Sequence, residues 1–177
     1  MKQLLLIISI AVSISAAAQK YTTEKTFVSF YSHAPLEDIS AENKKSSAIF
    51  NAETGDVAFS IPMKEFKFAK SLMQQHFNEK YVESEKFPKS TFQGKIVGYK
   101  PDGGSSQQVT AQGKLTIHGV ARDIDVPGTI ETQGNKLVMK SKFNVKVADY
   151  NITVPQLVFQ NIAEEVEVKI DFTFKPM

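Results

Sequence analysis

The sequence predicts an all-β protein, an eight-stranded antiparallel β-barrel with one short helix. Three observations point there. Apolar and polar residues alternate in about eight segments, residues able to adopt positive φ stand between those segments, and a single stretch follows helical spacing instead. With 177 residues, 42% hydrophobic content and 13 Phe, the chain has material for one domain with a sizeable core. Its 21 Lys plus Arg against 19 Asp plus Glu give a formal charge of +2 with both signs interspersed, too weak a field to recruit nucleic acid or an anionic surface. The absence of Cys excludes a disulfide framework, a thiolate zinc site and a Cys nucleophile.

The N-terminus reads as a secretory signal. Met1-Lys2-Gln3 is a short basic start, Leu4 to Ile14 is almost wholly apolar, and Ala16-Ala17-Ala18 is a small-residue cleavage site. The apolar run is shorter than the ~20 residues that cross a bilayer, and no Cys follows it for lipidation. Cleavage is expected after Ala18, leaving residues 19–177 as one periplasmic or secreted domain.

Within that domain, strands are expected at about Lys25 to Ser32 and Ser46 to Asn51. Val57, Phe59 and Ile61 follow a Thr54-Gly55 turn. Further strands are expected at Ser90 to Tyr99, Gln108 to Ile117 and Val120 to Glu131. Leu137, Met139, Phe143 and Val145 then alternate with Lys140, Lys142, Asn144 and Lys146. The clearest strand is the last, where Val166, Val168, Ile170, Phe172 and Phe174 alternate with Glu165, Glu167, Lys169, Asp171, Thr173 and Lys175. Pro101-Asp102-Gly103-Gly104, His118-Gly119 and Gln133-Gly134-Asn135 supply hairpin turns between neighbours. The helix is expected to start at a capping box, Ser71 with Gln74, and to carry one apolar stripe of Met73, Phe77 and Tyr81 flanked by Leu72 and His76.

Eight strands with one apolar face each leave unpaired edges unless the sheet closes, which favours a barrel over a sandwich. An eight-stranded barrel is just wide enough to be filled by side chains or to hold one small ligand. Small residues recur on the inward faces: Gly94 and Gly98 beside Phe92 and Ile96, Ala111 and Gly113 beside Val109, Leu115 and Ile117. They suit a cavity and equally suit relief of strain where strands coil sharply. The inverted arrangement, a membrane barrel with apolar residues facing lipid, needs about nine to eleven residues of unbroken alternation per strand, and most segments here alternate for fewer. No stable membrane insertion is expected.

Catalytic signatures are missing. The chain has no G-x-S-x-G elbow, Gly-rich phosphate loop or H-E-x-x-H helix, and His33, His76 and His118 have no metal-type local spacing. His118 before Gly119 reads as a turn residue, His33 as a strand end before Ala34-Pro35, and His76 as a packing residue of the helix. No enzyme activity, metal or cofactor is expected. A metal-dependent enzyme in which the three histidines converge is one alternative, and an interaction protein using the outside of the barrel is another.

Two motifs carry a family resemblance. The segment from Leu72 to Phe92, with His76-Phe77, Tyr81, the acidic Glu83 and Glu85, then Phe87-Pro88-Lys89-Ser90-Thr91-Phe92, is similar to the helix-and-strand segment of the YceI-like family. Gly113-Lys114-Leu115-Thr116-Ile117-His118-Gly119-Val120-Ala121-Arg122 resembles that family's hairpin, with Ala121 where Thr is usual. Thr26-Phe27-Val28-Ser29-Phe30 resembles its opening strand, without the common His-Ser start. The resemblance implies an exported, lipocalin-like barrel whose interior holds a polyisoprenoid chain or an isoprenoid quinone.

Affinity for such a chain must come from apolar area leaving water, at roughly 25 cal/mol per Å². The expected lining is Phe59, Ile61, Phe92, Ile96, Leu115, Ile117, Met139, Phe143, Ile170 and Phe172. The apolar segment Ala148 to Ala163, with Pro155, Leu157, Val158 and Phe159, reads as a core-packed connection or a cover over the tunnel mouth. Oligomeric state, a homodimer included, is open at this level.

Overall fold

The computed structural model of the chain describes residues 19–33, 38–153 and 164–177. Its strands are β1 (Lys20–Ser32), β2 (Ile39–Asn43), β3 (Ser47–Asn51), β4 (Asp56–Pro62), β5 (Lys67–Phe68), β6 (Lys89–Val97), β7 (Ser106–Ile117), β8 (Val120–Gln133), β9 (Lys136–Lys146) and β10 (Glu165–Pro176), with helix α1 (Ser71–His76) between β5 and β6. Eight of them close a ring in the order β1-β3-β4-β6-β7-β8-β9-β10, sealed by antiparallel pairing of β10 with β1 from Tyr21↔Pro176 to Tyr31↔Glu167. All ladders are antiparallel, so the period-2 alternation of each strand sends one set of side chains into the bore. Ion pairs such as Lys114–Asp123 and Lys142–Glu167 lie on the outside, with partners 2.9 and 2.7 Å apart.

The hairpin turns match their residues. Ile117 pairs with Val120 across a two-residue turn in which His118 and Gly119 have φ of 50° and 74°, the positive values that match the right-handed twist of the flanking strands. The β8–β9 turn places Gly134 at φ 64°.

Two strands are additional to the eight expected. β2 lies along the upper half of β1, from Val28↔Asn43 to Ser32↔Ile39, and β5 adds to β2 through Ala41↔Phe68. β3 takes the lower half of the same β1 edge, from Lys20↔Asn51 to Thr22↔Ile49, so the wall forks there. Side chains stitch the fork. Thr23 Oγ1 accepts from the Ala48 amide at 3.3 Å, and Thr26 Oγ1 donates to the Ser46 carbonyl at 3.2 Å. Fully buried Asn43 donates to the Pro62 carbonyl at 2.8 Å while accepting from the Lys45 amide. A buried amide that finds both donor and acceptor partners is a net stabiliser rather than a defect.

The capping box is not formed. Lys70 occupies the N-cap without a side-chain cap, Ser71 is already helical, and Gln74 Oε1 reaches back to the Phe68 amide at 3.4 Å. Competition from the adjacent strand amide has redirected the glutamine. After His76 the helix continues as a π turn, Phe77–Tyr81, closed by the Val82 amide donating to the Phe77 carbonyl at 2.9 Å. The wider turn brings Tyr81 and Val82 to the barrel with Met73 and Phe77, whereas Leu72 stays 60% exposed.

Burial raises the phenol pKa of Tyr21, Tyr81, Tyr99 and Tyr150 above the ordinary value of 10.0. In each case the folded state prefers the neutral phenol. The unfolded chain therefore releases protons first as pH rises, so stability is intact below pH 10 and falls as pH climbs toward the raised folded values. A lower urea midpoint at pH 11 than at pH 9 is the expected result; equal midpoints would contradict it.

Candidate functional site

The bore is divided along its length. At the end defined by the start of β1, Tyr21, Phe50, Tyr99, Phe172 and Phe174 pack ring against ring at centroid distances of 5.5–6.5 Å, with Leu137 fully buried beside them in the same core. That end is solid. From about the middle of the barrel to the α1 end lies a cavity of about 530 Å³, within the ~300–1,000 Å³ range of ligand pockets.

Nine of the ten expected lining residues, Phe59, Ile61, Phe92, Ile96, Leu115, Ile117, Met139, Phe143 and Ile170, are on the cavity wall. Phe172 is not. It is wholly buried in the aromatic plug, edge-on to Phe59 at 5.3 Å and beside Phe174 at 6.3 Å. Strand alternation places Ile170 and Phe172 on the same face, but two residues further along β10 the bore has already been filled by rings from β1, β3 and the β6–β7 turn.

The small inward residues also divide. A Cβ on Gly94 would stand 2.1 Å from the Gln112 carbonyl oxygen, and one on Gly113 2.3 Å from that of Gln93. These two glycines pair directly across β6 and β7, so they serve close backbone approach at a sharp coil, not cavity space. Ala111 does line the cavity.

The wall also holds residues outside the ten expected, some from the helical stripe expected to pack on the barrel and some from a segment given no role. Met63, Phe66 and Phe68 reach the cavity from a 3₁₀ turn, Met63–Glu65, and from β5, while Met73, His76 and Phe77 come from α1 and its π extension. Phe66-Lys67-Phe68 alternates as a strand does, a signal present in the sequence but only three residues long. Phe30 and Phe77 contact each other and both Phe66 and Phe68, at ring distances of 5.0–5.7 Å, on the wall toward the α1 end. Polar groups on the wall are few. Ser90 donates to the Met63 sulfur at 3.0 Å, and Ser141 to the Pro127 carbonyl at 2.7 Å. A surface of this kind offers contact area and little hydrogen bonding.

The three histidines serve separate local roles. His33 meets Asp38 at 2.7 Å on the surface, and His76 lies on the cavity wall. His118 is more than a turn residue: Nε2 meets Glu83 Oε2 at 2.7 Å, Nδ1 meets the Tyr150 carbonyl at 3.1 Å, and the Phe87 ring packs on it at 4.5 Å. It thereby ties the β7–β8 hairpin to the segment after α1 and to the 3₁₀ turn Val147–Tyr150. Among the described residues no three His, Asp or Glu side chains are grouped to hold a metal ion. The expected signal segment, residues 1–18, and Pro155, Leu157, Val158 and Phe159 lie outside the described residues; of the Ala148 to Ala163 segment, Ile152 lines the cavity.

Fold and site together define a closed eight-stranded antiparallel barrel with an apolar internal cavity. A family model for the YceI-like domain matches residues 20–174, and the chain belongs to that family. Among solved structures it is similar to a polyisoprenoid-binding domain from Saccharophagus degradans (15% identity, TM-score 0.74, covering 89% of this chain and 98% of that one). It is also similar to BcnA of Burkholderia cenocepacia (24%, 0.69, 84% and 95%) and to the YCEI protein of Campylobacter jejuni (15%, 0.62, 100% and 99%). No curated protein matches the chain.

Proposed function

We propose that this protein is exported and holds an apolar isoprenoid-type chain, a polyisoprenoid or an isoprenoid quinone, in the barrel for storage or transport without altering it chemically. The observation that carries the reading is the cavity: about 530 Å³, walled mainly by Phe, Ile, Val, Leu and Met, with groups of contacting aromatic rings toward both ends of the barrel. An apolar cavity of that size gives up side-chain packing that a solid core would gain, so a sequence that retains it has a use for the room. A flexible prenyl chain with no hydrogen-bonding needs fits a wall of adaptable Met and flat Phe. The name of the Saccharophagus neighbour supports the same ligand class. Export is supported by the leader-like first 18 residues, and a water-facing exterior by the ion-paired outer faces.

Purified protein extracted with organic solvent and analysed by mass spectrometry is expected to release a prenyl lipid in near-stoichiometric amount. Repeatedly lipid-free extracts would overturn the reading. Ile117→Trp, which pushes an indole into the cavity, is expected to lower lipid occupancy at least about tenfold, equivalent to ~1.4 kcal/mol, with the β circular dichroism retained. Unchanged occupancy would place the ligand elsewhere.

A further inference from the structure

The barrel wall is laced unevenly, and one seam is open. The β8–β9 ladder runs from Gln133↔Lys136 to Gly128↔Ser141 and stops, although β8 extends back to Val120 and β9 on to Lys146. Both strands stay paired to their outer neighbours over that stretch: β8 to β7 as far as Ile117↔Val120, β9 to β10 as far as Glu165↔Lys146. The wall therefore splits between them. The cause is local. Pro127 has no amide hydrogen to give, and the Ser141 hydroxyl donates to its carbonyl at 2.7 Å, a side chain standing in for the ladder at the point where it ends.

The split faces the cavity. Ile124 and Val126 of β8 and Phe143 and Val145 of β9 all line the cavity wall. Beyond Ser141 the described ties across the seam are Arg122 Nε to the Asp149 carbonyl at 3.0 Å and His118 Nδ1 to the Tyr150 carbonyl at 3.1 Å, both at its far end. The fork beside β1 differs, because Thr23, Thr26 and Asn43 stitch it. The barrel ends differ as well: the end at the start of β1 is filled by the Tyr21, Phe50, Tyr99, Phe172 and Phe174 rings, and the α1 end carries the contacting rings of Phe30, Phe66, Phe68 and Phe77. Parting β8 from β9 above Gly128 breaks no ladder hydrogen bond between them.

We propose that the apolar chain enters and leaves sideways, through the β8–β9 seam, and not through either end of the barrel. The inference rests on the lipid-binding reading above. Asp125 and Asn144 are exposed and alternate with the inward Ile124, Val126, Phe143 and Val145, so Asp125→Cys/Asn144→Cys places two thiols on the outside of the seam in a chain that has no other Cys. A short bismaleimide then staples it. Lys64→Cys/Glu85→Cys, replacing an ion pair that links the 3₁₀ turn after β4 to the segment after the π turn, staples the α1 end for comparison.

The measurement is the release rate of the apolar fluorophore N-phenyl-1-naphthylamine on displacement by farnesol, before and after stapling, with cross-linking verified by intact mass. The seam staple is expected to slow release at least tenfold while leaving the equilibrium Kd within about twofold, and the α1-end staple to change the rate less than twofold. An unaffected rate in the seam-stapled protein overturns the proposal. So does slowing of equal or greater size from the α1-end staple. A parent protein that takes up neither probe and yields lipid-free extracts removes the lipid-binding reading, and the seam route falls with it.

Discussion

Phe172→Ala is expected to lower stability by ~3–5 kcal/mol, the usual cost of deleting a fully buried aromatic ring. At about 2–4 °C per kcal/mol for a domain of this size, the melting temperature should fall by roughly 10 °C. The same substitution carries a second consequence. Phe172 stands edge-on to Phe59, which lines the cavity, so its removal joins the cavity to the space it vacates and deepens the bore. A longer prenyl chain that reaches this space should then recover part of the lost melting temperature, because a ligand that binds only the folded state stabilises it by mass action. Differential scanning fluorimetry with and without farnesol and a longer prenyl alcohol reads both effects. A melting temperature unchanged by the substitution would mean that the plug is not packed as described.

Gly94→Val, on the inward face of β6, is expected to be severely destabilising. Its Cβ would sit 2.1 Å from the Gln112 carbonyl oxygen and 2.7 Å from the Gly113 Cα, both backbone atoms that cannot swing away. Overpacking against side chains costs ~1–3 kcal/mol, and backbone obstacles raise that cost. Against a total stability of about 5–15 kcal/mol, a loss above ~3 kcal/mol should show as a sharply reduced urea midpoint or insoluble protein. Gly134→Asn is the control. It has φ 64° and open space around it, and asparagine adopts that conformation readily, so less than ~1 kcal/mol is expected. Equal midpoints for the two variants would remove the close-approach account of the β6–β7 pair.

Much of the barrel was legible from the chain because alternation is written every second residue. Val166 to Phe174 declares its own inward face, and His118-Gly119 its own turn. β2 was hidden because Ile39-Ser40-Ala41-Glu42-Asn43 has only two apolar residues, and its buried Asn43 becomes sensible only when Pro62, Lys45 and Ser46 surround it. The helix start misled because Gln74 had a better partner than its own first turn, the Phe68 amide of β5. The role of His118 was half visible: its turn conformation follows from the Gly119 beside it, whereas its bond to Glu83 joins residues 35 positions apart.

By itself the sequence determined that this chain forms an antiparallel barrel and which side chains point inward, since both follow from residues two positions apart and from two-residue turns. Only the tertiary structure decided how far the hollow extends, with Ile170 on its wall and Phe172 in solid packing. It also decided that Gly94 and Gly113 relieve crowding and that β8 and β9 part above Gly128. The physical reason is that filling, crowding and pairing depend on which side chains meet across strands far apart in the chain, and no local period encodes that meeting.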